Sequence, residues 1–165
     1  MKVMIQFIDF YDDIGFMSAL FYSDMLNNVD IYKIANHLTN NISDDNLVKI
    51  IVNGVDDDNN KKLFENYFIK LNIKLLHPKK ALIAKVFYYI LHNRIDLSKG
   101  IKFANFEVSD NENITRYVGD DVGIEQILGN YYAVDDGDLT DKKDIEATKK
   151  LILEEMQQYV HDNLE

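Results

Sequence analysis

"PKKALIAKVFYYILHN", residues 78–93, is the stretch whose reading decides the fold. Pro78 is the only proline in the chain. It suits the first turn of a helix, where its missing N–H has no partner to lose. Behind it Leu82, Ile83, Val86, Phe87, Ile90 and Leu91 recur at spacings of three and four, the period of a helix. The apolar band they make is too wide for a helix that rests on one neighbour, so burial from more than one side is expected. That is a central helix reaching about Asn93, and it requires other helices around it.

Working outward, the same period recurs. Ile31, Ile34, Ala35 and Leu38 form one stripe; Leu63, Phe64, Tyr67, Phe68 and Leu71 form another. Ser43 is placed to cap the helix that follows it, and Gly54 to stop it. Ser98 would cap a helix through Phe106, and Asp110 or Asn111 a short one ending near Gly119. Asp121 precedes Ile124, Ile127, Leu128 and Tyr131, again at helical spacing. Thr140 or Asp141 would cap a long last helix with Ile145, Thr148, Ile152, Met156 and Tyr159 on one face. Only the start is ambiguous. Val3, Ile5 and Phe7 alternate as in a strand, whereas Met4, Ile8 and Tyr11 suit a helix. The expectation is an all-α single domain spanning residues 1–165, with about seven or eight helices and room for a short N-terminal strand.

Composition narrows the function classes. At 165 residues the chain is long enough to bury a core unaided, and 47% hydrophobic residues with nine Phe and ten Tyr exclude a disordered segment. Cysteine is absent, which removes disulfides, thiolate zinc sites and a cysteine nucleophile together. No apolar run approaches the ~18 residues that span a bilayer. The first residues lack a small-residue cleavage site, so a cytoplasmic protein away from membranes is expected. Net charge is −10, unevenly spread. Residues 1–60 carry ten acids and three lysines (−7), residues 61–105 two acids, nine lysines and Arg94 (+8), and residues 106–165 sixteen acids and five bases (−11). Such a balance repels nucleic acid over most of the surface and favours a cationic partner.

No catalytic signature is present. There is no GxSxG, P-loop or GxGxxG, and His37, His77, His92 and His161 stand apart from any HExxH spacing. Two acidic stretches invite comparison with a calcium loop, which needs oxygen ligands at positions 1, 3 and 5, Gly at 6 and Glu at 12. With Gly137 at position 6, Tyr132 and Val134 fall where ligands are required. Starting from Asp56 puts Lys61 at the turn and Tyr67 at position 12. Neither is such a loop, and no cofactor or metal is expected.

What remains is "YYAVDDGDLTD", residues 131–141, where adjacent tyrosines lie among aspartates. Tyr131 shares the stripe of Ile124, Ile127 and Leu128 and belongs to the core. Tyr132 is read as off that stripe and exposed, an aromatic anchor for a partner. The expected contact surface is therefore Tyr132, Asp135, Asp136 and Asp138, with Asp120, Asp121 and Glu125 adjoining. The segment "NYYAVDD", residues 130–136, resembles the tyrosine pair flanked by acids that nuclease-colicin immunity proteins use to hold a basic toxin domain. More generally, a small, acidic, cysteine-free helical chain is similar to the immunity proteins of bacterial toxin systems. The resemblance implies a non-catalytic inhibitor whose partner is a basic protein. Two other readings stand beside it. One is a metal-dependent enzyme using Asp56, Asp57 and Asp58 or the Asp135 cluster. The other is a regulatory or oligomerising subunit, the oligomeric state being unspecified by the sequence.

Overall fold

The computed structural model describes residues 5–108 and 122–164. Among these there are eight α-helices and no strand: α1 Ile14–Tyr22, α2 Asn28–Leu38, α3 Asp45–Asn53, α4 Asn59–Lys70, α5 Pro78–Leu91, α6 Leu97–Phe103, α7 Glu125–Asp135 and α8 Lys142–Leu164. The all-α expectation holds. Where a strand was considered, Phe7–Phe10 makes a single 3-10 turn; residues 1–4 lie outside the described residues. The short helix expected between Asp110 and Gly119 lies outside them too. By their contacts the residues fall into two compact units, Gln6–Pro78 and a second taking in the chain from Lys79 onward.

In the first unit, α1 is buried on all sides through Phe16, Met17, Ser18, Ala19 and Leu20. Asp13 starts it by accepting a hydrogen bond from the Phe16 N–H at 3.0 Å. α2 opens on a capping box in which Asn27 and Asp30 exchange side-chain-to-backbone hydrogen bonds at 2.8 and 3.1 Å. Its predicted stripe of Ile31, Ile34, Ala35 and Leu38 is buried. α2, α3 and α4 pack on one another. An aromatic cluster adds to this core, with the Phe64 ring 4.7 Å from Phe68 and 5.6 Å from Phe21. Asp44, not Ser43, caps α3, accepting from the Asn46 and Leu47 N–H groups at 2.9 and 3.3 Å. Its other oxygen takes Lys70 Nζ at 2.9 Å. Leu71 leaves the expected stripe because it is the residue that ends α4, and it is 46% exposed.

In the second unit, α5 confirms its wide apolar band: Leu82, Ile83, Ala84, Val86, Phe87, Tyr89 and Ile90 are all buried. Gly100 brings α6 against it. A methyl there would lie 2.9 Å from Ile90 Cγ1 and 3.2 Å from Val86 Cγ1, closer than packed carbon atoms come. Asp96 rather than Ser98 caps α6, and the last residues of the predicted helix continue as a π turn over Ala104–Val108. α7 and α8 pack together. The Tyr159 hydroxyl donates to the Val122 carbonyl at 2.7 Å, and the Tyr159 ring meets Phe87 edge-on at 5.3 Å.

Three helix ends share one device. At Asp24, Asn72 and Asn93 the chain takes positive φ of 57–58°. In each case the next N–H reaches back to the carbonyl five residues earlier: Met25 to Leu20, Ile73 to Phe68, Arg94 to Tyr89. This is the Schellman stop, which satisfies carbonyls the helix leaves orphaned.

Candidate acidic surface at the end of helix α7

α7 buries Ile127, Leu128, Tyr131 and Tyr132, with Ile124 just before it. Tyr132 is thus not the exposed anchor expected from the sequence: only 3% of it is accessible. Its hydroxyl accepts a hydrogen bond from the buried Asn105 amide at 3.2 Å, and its ring lies edge-on to Tyr131 at 5.1 Å. The reason is helical geometry. Tyr132 is four residues beyond Leu128, so it shares that residue's face. The core stripe is two residues wide, and both tyrosines lie in it.

Three of the expected carboxylates lie at the end of α7. Asp135 is the last residue of α7, Asp136 its C-cap, and Asp138 follows Gly137. All three are exposed. Gly137, at φ 75°, is the left-handed residue that ends the helix. The Asp138 N–H returns to the Ala133 carbonyl at 3.1 Å, completing a fourth Schellman stop. The "DDGD" sequence is therefore a helix terminus. Asp141, as expected, starts α8, its carboxylate accepting the Lys143 N–H at 2.8 Å.

Two features set this terminus apart. The carbonyl end of a helix carries partial negative charge, so Asp135 and Asp136 sit where an acid is disfavoured by about 0.3–1 kcal/mol each. Their field also reaches the buried neighbour. Burial above all pushes the Tyr131 phenol above its usual range; the charges of Asp135, Asp96 and Asp136 add to this, and a hydrogen bond with Ser98 works against it. Asp96, exposed at the start of α6, thus acts on the same buried phenol as Asp135 and Asp136. Sequence reading missed it because it lies 39 positions before Asp135 and reads as an ordinary cap.

Glu125 is exposed but sits in the first turn of α7. Ten residues separate it from Asp135, roughly 15 Å along the helix axis. There its charge favours the helix, so it is a stabilising first-turn acid and no part of the same patch. Asp120 and Asp121 lie outside the described residues.

The other acidic stretch has structural duties. Asp57 accepts the Asn59 N–H at 2.9 Å, and Asp58 accepts the Asn28 side-chain amide at 3.0 Å. Buried Asn60 pins the loop, donating to the Gly54 carbonyl at 2.8 Å and accepting from Asn53 at 3.2 Å. An open pocket of about 650 Å³ lies along Asn53–Asp58. A second groove of about 650 Å³ runs along α5 and α8, with Tyr88, His92, Gln157 and His161 among its walls. His92 is held there by the Tyr88 carbonyl, 2.8 Å from its Nδ1, and by the Tyr88 ring at 4.1 Å. Among the described residues no three His, Asp or Glu side chains converge as a metal-holding group. No helix among them is long and apolar enough to cross a membrane.

No protein-family model, curated protein or solved structure matches the chain.

Proposed function

We propose that this protein is a non-catalytic inhibitor of the immunity type, which binds the basic domain of a bacterial toxin and blocks it. The observation that carries this reading is the display of Asp135, Asp136 and Asp138 at the carbonyl end of α7. An acid in the last turn of a helix, as Asp135 is, stands against the helix dipole, and helix stability alone does not favour it there. Asp96 acts on the same Tyr131 phenol as Asp135 and Asp136, and the chain's net charge is −10. Such a field steers a cationic partner and raises its association rate. Inhibition by occupancy needs no cofactor and no chemical step. The aromatic anchor assigned to Tyr132 is not part of the proposal, because that ring is spent on the core. The metal-dependent reading is not favoured, since Asp57 and Asp58 are engaged in holding their own loop.

The test is co-expression with the basic C-terminal domain of a toxin encoded beside this gene. The proposal expects a stoichiometric complex on size exclusion and loss of the domain's activity. It fails if the two proteins elute separately, or if the domain stays active within the complex.

A further inference from the structure

We infer that Asn53 is a site of spontaneous deamidation, and that its conversion releases the loop joining α3 to α4. Asn53–Gly54 is the only Asn-Gly pair in the chain. In such a pair the following backbone nitrogen has no side chain beside it, so it reaches the asparagine side-chain carbonyl with least hindrance. The fold leaves that approach open. Asn53 is the exposed last residue of α3, and Gly54 is its C-cap at φ 85°. Nothing lies within 4 Å of where a Gly54 Cβ would stand. The open pocket of about 650 Å³ along residues 53–58 admits solvent to the reacting groups.

Two hydrogen bonds hold those groups back. The Gly54 N–H donates to the Ile50 carbonyl at 3.2 Å, and Asn53 Nδ2 donates to Asn60 Oδ1 at 3.2 Å. Both are at the long end of the N–H···O range and stand at a helix end, where the last turn frays. When they open, the Gly54 nitrogen gives its proton to hydroxide and attacks Asn53 Cγ. The N–Cγ bond forms, the Cγ–Nδ2 bond breaks, and ammonia leaves with a proton taken from water. Water then opens the cyclic imide at one carbonyl or the other, leaving an aspartyl or isoaspartyl residue in place of Asn53. No oxidant or reductant takes part.

The consequence follows from Asn60. This side chain is fully buried, donates to the Gly54 carbonyl at 2.8 Å, and has its oxygen satisfied by Asn53. A carboxylate at position 53 has no proton to offer that oxygen. Turning the Asn60 amide over would point the oxygen at the Gly54 carbonyl instead. Either way the buried Asn60 oxygen is left without a donor, which is the costly case. The new charge also stands at the carbonyl end of α3, against its dipole, as a fourth carboxylate in the pocket that Asp56, Asp57 and Asp58 line. All these residues lie in the unit Gln6–Pro78, so the inference does not rest on the immunity reading.

The test ages the full chain at mildly alkaline pH and maps it by peptide mass spectrometry, with Asn53→Gln aged beside it. Exchange of ammonia for water, with isoaspartate among the products, should appear at Asn53 before any other asparagine. It should run faster in urea, where the two hydrogen bonds are absent. Ammonia release should fall sharply in Asn53→Gln, whose longer side chain must close a larger, less favoured ring. Hydrogen exchange reads the consequence. In the aged chain and in Asn53→Asp, the amides of residues 54–60 should lose protection, while those of buried Ile31 and Ile34 in α2 keep it. Any of three results overturns the inference: another asparagine reacts first, Asn53→Gln releases ammonia as fast as the parent, or residues 54–60 stay as protected in the aged chain and in Asn53→Asp as in the parent.

Discussion

Replacing Asp135, Asp136 and Asp138 together by asparagine removes three charges from the carbonyl end of α7 and keeps the side chains nearly the same size. Asp135 and Asp136 stand in and directly after the last turn, and each is disfavoured there by about 0.3–1 kcal/mol at low ionic strength. Asp138 lies beyond the last turn, where the dipole effect has fallen away, and contributes little. Asp136 also makes an interaction of its own that its replacement alters, so the net gain expected of the variant is the Asp135 share, about 0.3–1 kcal/mol. For a chain of this length that raises Tm by up to a few degrees, at about 2–4 °C per kcal/mol. Thermal melts at low salt read the gain. In 1 M salt the screening length shrinks to about 3 Å, and the gain should largely vanish. A second readout is local. Because Asp135 and Asp136 help hold the Tyr131 phenol above its usual range, that phenol should titrate lower in the variant, as seen by NMR of labelled tyrosine. A variant less stable than the parent at low salt, or a gain that persists in 1 M salt, would refute the argument that these acids are held there at a cost.

Two glycine substitutions should act with opposite sign in chemical denaturation. Gly129→Ala, with no atom within 4 Å of the new methyl, should stabilise α7 by about 0.5–1 kcal/mol; Gly100→Ala, pressed against Ile90, should lose about 1–3 kcal/mol to overpacking, outweighing its helix-propensity gain. Tyr132→Ala should cost about 3–5 kcal/mol of stability, since it empties a buried site; a loss within ~0.5 kcal/mol would return that ring to the surface. For Asp44, burial pushes the carboxyl upward, but the Lys70 hydrogen bond, the Leu47 and Asn46 N–H groups and the Lys70 charge outweigh it and leave it below its usual range. A lowered carboxyl stabilises the fold above the unfolded value of about 3.9 and loses that contribution as pH falls through the folded value. Asp44→Ala should therefore cost about 1–2 kcal/mol at neutral pH, and the gap from the parent should narrow below about pH 4 in urea melts followed by circular dichroism.

The fold was legible wherever apolar spacing or a cap marks a helix. The stripes of α2 and α4, the wide band of α5 behind Pro78 and the Asp141 start of α8 all read directly from spacing. α1 was not singled out, because a helix buried on every side has no polar face to mark its period. The end of α5 was read near Asn93, but the stops at Asp24 and Asn72 were missed because a left-handed aspartate or asparagine looks like any surface residue. Within the candidate surface, the charges were legible and the aromatic anchor was not. The reading followed α7 through Ile124, Ile127, Leu128 and Tyr131 and did not extend Leu128 by four to Tyr132. Asp96 could not be found by local reading at all, since only the packing that sets Ser98 beside Tyr131 brings its charge to bear on that phenol.

The most direct test of the proposed role is the rate at which the chain associates with the basic domain of the neighbouring toxin, measured by stopped flow across a salt series. A partner drawn by the α7 terminus should associate quickly at low salt and slow steeply as salt rises. The Asp135→Asn, Asp136→Asn, Asp138→Asn variant should associate more slowly at low salt, with a flatter salt dependence and a nearly unchanged dissociation rate. Identical association rates and salt slopes for parent and variant would contradict the account, because the acids held at the end of α7 would then have no part in binding.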